Sequence, residues 1–333
     1  MSSLRKLITT VVSVGVVGAL VTGTVVAPAA HAANKKIAFV MGAESDPFFQ
    51  AMKVGAVAAA KANNVDLIWQ GDPSEYSPAT QIPVVDAVLA QKPDALVLIP
   101  TDPTALQPSV AKAKAAGIPV INVDTRVGDL TDVLSFITGD NADGGAKAAD
   151  ALAKAIGWTK GKQYKVVVGL TSATATTNVA RLDGFSKRIL RNYPGIKIVD
   201  KAYSQSQPAK ANTNVSNWLT KYPDLAGIFA IDGTNAAGAA AALQAKGLTG
   251  KIALVGYDAY KANVDLIGKG VFTALVAQDP AAEAKLAIEY AVKYLNSGKK
   301  SKSGIKATVV IPNVVLSKDS SAADLAKYTY VQK

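Results

Sequence analysis

The stretch IAFVMGAESDPFFQAMKVGAVAAA, residues 37–60, decides the fold. Its first five residues, IAFVM, make an apolar run too short for a helix and continuous enough for a strand covered on both faces. Asp46 and Pro47 then carry the signature of a helix start, a capping carboxylate followed by proline at the first helical position. Strand, turn and helix therefore follow one another within two dozen residues. The unit recurs. Further β-rich runs lie at 65–69, 95–100, 118–123, 164–170, 196–199, 225–231, 251–257 and 272–277. Between them Ile82, Val85 and Leu89 keep helical spacing, and an Ala-rich helix is expected over 143–158. Strands alternating with helices imply parallel βαβ units.

Nine strands exceed one comfortable doubly wound unit, and the series restarts after the helix expected at 143–158. The reading is α/β, with two similar doubly wound parallel-sheet lobes. The best first crossover between them is SFITGD, 135–140. The stretch from Gly71 to Pro78 reads as a loop inside the first lobe. Residues 297–304, SGKKSKSG, read as a solvated basic turn.

Hydrophobic residues are 49% and charged residues 18% of the 333, which excludes a disordered or collagen-like chain. Arg5 and Lys6 precede an uncharged apolar stretch from Leu7 to Ala27, and Ala30-His31-Ala32 fits the small-x-small rule of signal peptidase. Residues 1–32 are thus expected to be a cleavable signal peptide. An uncleaved anchor is the alternative, since about 20 apolar residues span a bilayer. Cleavage would remove two basic residues and no acidic one, lowering the formal charge from +11 to +9. It would also remove His31, the single histidine, from a chain with no cysteine. No Ser-His-Asp, thiol or His-based zinc chemistry is then available, nor the cysteine that a bacterial lipid anchor needs. No cofactor, metal ligand or catalytic residue is expected.

In open parallel sheets ligands bind beyond the carboxyl ends of the strands. Acids recur there: Asp46, Asp102 and Asp124 in the first half, Asp232, Asp258 and the pair Gln278-Asp279 in the second. Carboxylates only accept hydrogen bonds, so they suit a ligand presenting several O–H or N–H donors. Phe48 and Phe49 offer a flat apolar surface to its C–H faces, with core packing as the alternative. Asp46 and Asp102, each before a proline, are caps by signature, and a cap can also touch a ligand. Asp124, Asp232 and Asp258 lack that proline and are placed in the cleft. Asp258 is expected to serve the ligand alone, so that its loss would spare the unliganded protein. Arg126 either pairs with Asp124 or is solvated. Arg181 sits near a helix start, where the dipole disfavours a cation, which points to a ligand or a carboxylate partner.

Taken in order, these segments resemble the periplasmic sugar-binding proteins of the ribose/galactose/xylose class, type I periplasmic binding proteins that serve as solute receptors of ABC importers. The resemblance runs from about Lys36 to Leu316. It rests on IAFV with Asp46 to Phe49, Pro100 to Asp102, INVD ending at Asp124, Gly139 to Asn141, ARLDGF at 180–185, VGYD ending at Asp258, and Ala277-Gln278. It implies two lobes joined by a three-strand hinge that close on one sugar or polyol. The chain would cross near Ile137, return near Gln278 and cross again near Pro312. One lobe would comprise 34–137 plus 279–311, the other 138–278 plus 312–333. Phe48 and Phe49 would sandwich the sugar ring, and Asp124 would accept from its hydroxyls. Arg181 would donate from the second lobe, with Asp232, Asp258 and Gln278 completing that wall.

The sequence departs from the ribose-type pattern where Asp46 and Asp232 stand for neutral amides, Thr125 for an arginine and Ser206 for an aromatic. A more acidic, less aromatic site is expected. The implied partner is a membrane permease of an ABC importer, and the implied state a periplasmic monomer. A non-sugar solute, furanone-like or cationic, is the alternative ligand. A carboxylate glycosidase is disfavoured because no single pair of acids stands out. A nucleic-acid regulator is disfavoured because the lysines are scattered and no helix-turn-helix precedes the core.

Overall fold

A computed structural model describes residues 34–331. The segment expected to direct export, 1–32, lies outside them. In chain order the first elements are β1 (Lys35–Ala43), α1 (Pro47–Ala62), β2 (Val65–Asp72), α2 (Pro78–Ala90), β3 (Ala95–Leu98), α3 (Gln107–Ala115), β4 (Val120–Val123) and β5 (Val133–Gly139). Then come α4 (Asn141–Ala155), β6 (Tyr164–Leu170), α5 (Thr176–Asn192), β7 (Ile196–Tyr203), α6 (Pro208–Lys221), β8 (Leu225–Ala230) and α7 (Gly233–Ala245). The series ends with β9 (Ala253–Tyr257), α8 (Lys261–Val264), β10 (Ala274–Ala277), α9 (Pro280–Asn296), β11 (Thr308–Ile311), β12 (Val314–Ser317) and α10 (Ala322–Tyr328). No helix among the described residues is long and apolar enough to cross a membrane.

The strands form two six-stranded sheets with one plan used twice: β2-β1-β3-β4-β5-β11 and β7-β6-β8-β9-β10-β12. Every neighbour is parallel except the antiparallel edge pair β10 and β12. Period-two alternation explains why the strands are apolar throughout. Ile37, Phe39 and Met41 of β1 face one core with Met52 and Ala56 of α1 and Ile288 of α9. Ala38 and Val40 face the other, with Val85 and Val88 of α2 and Leu106. Each such buried Val, Leu, Ile, Phe or Met side chain contributes about 1.5–3 kcal/mol.

The chain passes between the sheets three times: after β5, after β10, and between β11 and β12 at Pro312-Asn313. The first passage falls at the end of the 135–140 segment expected to make it, since up to Gly139 that segment is paired strand, with Phe136 opposite Asn122 and Thr308. β11 and β12 also escaped the sequence reading. They are four residues each, and Thr308 and Val310 are exposed, so neither shows a buried run.

Helices α4 and α5 pack closely because glycine lets backbone meet backbone. A Cβ on Gly184 would collide with the Ala142 carbonyl, and one on Gly145 with the Arg181 carbonyl. This contact fixes the turn of α5 that carries Arg181. Gly184→Ala is expected to lower the free energy of unfolding by about 1–3 kcal/mol through overpacking. A urea titration with unchanged slope and a lower midpoint checks it.

Candidate functional site

Both sheets present their carboxyl ends to one cleft, lined by Asp46, Phe48, Phe49, Tyr76, Asp124, Thr171, Thr177, Asn178, Arg181, Ser206, Asp232, Asp258, Tyr260 and Gln278. The cavity holds about 40 Å³, far below the roughly 300–1,000 Å³ usual for small-molecule sites, so its lining side chains stand close together. Eight of the nine residues singled out in the sequence meet there. Arg126 does not. Its guanidinium folds back onto the carbonyls of Val127 (3.2 Å) and Gly128 (2.9 Å), and only its backbone N–H reaches the other half, donating to Thr176 Oγ1 at 2.9 Å.

Asp46 caps α1, accepting from the Phe48 N–H at 3.0 Å, and its carboxylate also receives the Tyr260 hydroxyl from the opposite side of the cleft. The cap and the cleft position are one residue. Phe48 and Phe49 are both buried and meet edge to face at 5.3 Å between ring centres. Tyr76 and Tyr260, which the sequence reading did not single out, add two more rings. Tyr76 belongs to the polar stretch 73–77, where a lone tyrosine among Ser, Glu and Pro was its only signal.

Asp124 and Asp258 occupy equivalent places, after β4 and after β9, and both take left-handed backbone conformations, φ +58° and +66°. Their amides donate to Ile137 and Val276 respectively, at 2.8 Å. A left-handed residue at a strand end turns its side chain into the cleft, and Asp tolerates that conformation better than most residues.

Asp232 and Asp258 differ from Asp124 in what surrounds their oxygens. Asp232 caps α7 and accepts from Asn235 N, Thr234 Oγ1, Thr171 Oγ1 and Asn235 Nδ2 within 2.9 Å. Asp258 accepts from the Gly233 N–H (2.9 Å), Gln278 Nε2 (2.7 Å) and the Tyr330 hydroxyl (3.1 Å). It therefore ties β9, α7, β10 and the C-terminal segment together. That corrects the expectation that its loss would spare the unliganded protein. Asp102 turns away onto the N–H groups of Thr104 and Ala105, as its proline signature implies.

Arg181 is buried over the Tyr257 ring, 3.9 Å from the ring centre, and donates to Asn141 Oδ1 (2.7 Å) and the Ile231 carbonyl (3.1 Å). Among the described residues no carboxylate lies within 4.0 Å of it. Burial works against its charge, but Tyr257, then Asp258, Asp124 and Asp232, outweigh that and hold its proton more firmly than usual. Burial pushes Asp46 up to about 7, reinforced by Asp258 and Asp232, and pushes Asp124 up to about 6 against the pull of Arg181. Asp124 Oδ1 is buried with no donor in reach. The arrangement offers acceptors and one fixed guanidinium around a gap.

A family model described as a periplasmic binding protein domain matches residues 37–300. The chain belongs to the periplasmic binding protein family. It is similar to the D-ribose/D-allose-binding protein of Pseudomonas aeruginosa, 32% identical over 83% of this chain and 87% of that one. The ribose import binding protein of Bacillus subtilis is 30% identical over 83% and 88%. Among solved structures, an ABC transporter solute-binding protein from Agrobacterium vitis, bound with alpha-D-tagatopyranose, superposes with a TM-score of 0.82. It is 32% identical, covering 90% of this chain and all of that one. The family is one of binding proteins of ABC importers, not of enzymes.

The sign of the pH dependence follows from Asp46 and Asp124. Their folded-state values lie above the ordinary 3.9, so the folded protein binds protons that the unfolded chain has released. Stability of the unliganded protein is expected to fall as pH rises from about 4 to 7. Asp46→Asn should flatten the upper part of that decline in urea midpoints measured across the pH series.

Proposed function

We propose that the protein is an extracytoplasmic receptor that closes two lobes on one sugar or polyol and delivers it to an ABC-type permease. The observation that carries this is the cavity itself. Oxygen acceptors from both sheets and one buried guanidinium surround a gap, with two phenylalanines on one side. Several ring or chain hydroxyls would donate to Asp124 Oδ1 and to Asp46, while Arg181 would donate to a ligand oxygen. A ligand touching both halves stabilises only the closed arrangement, so binding shifts the equilibrium toward closure. The relatives' names and bound ligands, D-ribose, D-allose, xylitol, alpha-D-tagatopyranose and D-fucose, are all neutral polyhydroxylated solutes.

In this reading the lobes comprise 34–137 plus 279–311 and 138–278 plus 312–333, each built on one sheet, and the three passages between sheets are the hinge. The protein acts as a periplasmic monomer, exported through the segment 1–32. Asp46, Phe48, Phe49, Asp124, Arg181 and Gln278 contact ligand. Asp232 and Asp258 hold the second wall in place with their own bonds already formed, and Arg126 tethers the rim through its backbone. One observation favours a second reading of the ligand: four carboxyls face a single guanidinium across the cavity, which suits a sugar or polyol carrying an ammonium group.

A thermal-shift screen over these five compounds and D-glucosamine tests both. At 100 times its dissociation constant a ligand should stabilise the protein by about 2.7 kcal/mol. Arg181→Ala should abolish that shift. A response to none of the five neutral compounds, with D-glucosamine alone active, would replace the first reading by the second. No response to any would leave the receptor reading without support. Hydroxyls donate more strongly to ionised carboxylates than to neutral carboxyls, so affinity should rise from pH 5 to 7.5 with release of protons on binding. Calorimetry in two buffers of different ionisation enthalpy measures that release.

A further inference from the structure

Three side chains converge on Gly139, the last residue of β5, and all present oxygen. Gln278 Oε1, Asn313 Oδ1 and Glu283 Oε1 lie 2.8, 3.1 and 3.6 Å from where a Cβ on that glycine would stand. These three oxygens and Glu283 Oε2 are buried without a hydrogen-bond donor. Gln278 follows β10 and Asn313 lies between β11 and β12, so the cluster joins all three passages between the sheets.

The amides cannot turn round to supply a donor. Gln278 Nε2 is committed to Asp258 Oδ1 at 2.7 Å, and Asn313 Nδ2 to the Asp140 carbonyl (2.9 Å) and the Tyr257 hydroxyl (2.6 Å). A buried acceptor without a donor is costly, and a carboxyl group is the one member of this cluster able to change from acceptor to donor. We infer that Glu283 is held as the neutral acid and donates its single proton to one of these two amide oxygens, Gln278 Oε1 or Asn313 Oδ1, making it a positioning residue for the hinge and for the Gln278 side chain that lines the cavity.

The surroundings agree. Burial, then Asp124, keep the Glu283 carboxyl well above the ordinary range, and Asp279 and Asp258 act in the same direction. Arg181 from α5 opposes them, as does the N-terminal end of α9, where Glu283 sits in the first turn. Lys147 is engaged elsewhere, with the Asn313 carbonyl at 2.8 Å and the Asp143 carboxylate. Tyr257 stays a phenol, its burial pushing ionisation upward.

Infrared spectroscopy of the unliganded full chain at pH 8, above the range in which Asp46 and Asp124 titrate, tests this. The carbonyl stretch of a protonated carboxyl group should be present and should shift when glutamate alone is labelled with carbon-13. That measurement needs no variant. Absence of a glutamate-dependent band would overturn the inference. Above pH 7 the wild-type urea midpoint should go on falling, because the folded chain holds a proton that unfolding releases. Glu283→Gln, which supplies N–H donors at every pH, should fold, lose the band and remove that part of the pH dependence. Glu283→Leu, with no donor, should be less stable than Glu283→Gln. Equal stability of the two, or a pH profile unchanged in Glu283→Gln, would count against it.

Discussion

A buried guanidinium that touches no carboxylate is the constraint around which the site is built. Arg181 loses its water on folding, and an uncompensated buried cation costs several kcal/mol. Compensation comes from the ring of Tyr257, from neutral oxygens of Asn141 and Ile231, and from Asp258, Asp124 and Asp232 acting across the gap. Direct salt bridges would have been the stronger solution for stability and would have filled the cavity. With the carboxylates beyond salt-bridge distance, opposite charges face each other across the gap, where in the proposed reading the ligand sits. The cost is distributed: Asp46, Asp124 and Asp258 all hold protons more tightly than exposed aspartates do.

The repeated sheet plan explains how these groups reach the same place. Asp124 after β4 and Asp258 after β9 are counterparts, each left-handed, each with its amide bonded to the next strand. Asp140 and Asp279 are counterparts as well, capping α4 and α9. Two copies of one geometry, facing each other across the cleft, deliver acceptors from both sides. Divergence between the copies then assigns roles. The aromatic pair Phe48 and Phe49 belongs to the first half, and the guanidinium to the second.

Much of this was legible in the sequence because the signals are local. A five-residue apolar run followed by Asp-Pro is a strand and a capped helix wherever it occurs, and acids after strands mark the ligand end of a parallel sheet. The omissions have a common cause, since they depend on residues distant in the chain. β11 and β12 are defined by pairing with β5 and β10, not by their own apolar content. Tyr76 and Tyr260 enter the cavity from loops with no periodicity. Of the two readings of Arg126, paired with Asp124 or solvated, the exposed guanidinium fits the second, reaching only the carbonyls one and two residues on. The double duty of Asp232 and Asp258 was hidden for the same reason, because Thr171, Gly233, Gln278 and Tyr330 are assembled only by the fold.

Saturation of a carboxylate by the protein separates wall from contact. Asp232 and Asp258 accept several protein hydrogen bonds each, so a ligand meets them as fixed charges more than as free acceptors. Asp124 Oδ1 has no donor, and Asp46 shares one oxygen between its cap and Tyr260, so these two retain capacity for new bonds. In the proposed reading, specificity rests mainly on the first half, where the unsatisfied oxygens and the phenylalanine pair lie, while the second half supplies a pre-bonded surface. A hinged molecule can use that asymmetry. On the proposed function, the ligand would form its most selective bonds with one half, and closure would bring a wall whose geometry is already set, so little further ordering would be needed when the halves meet.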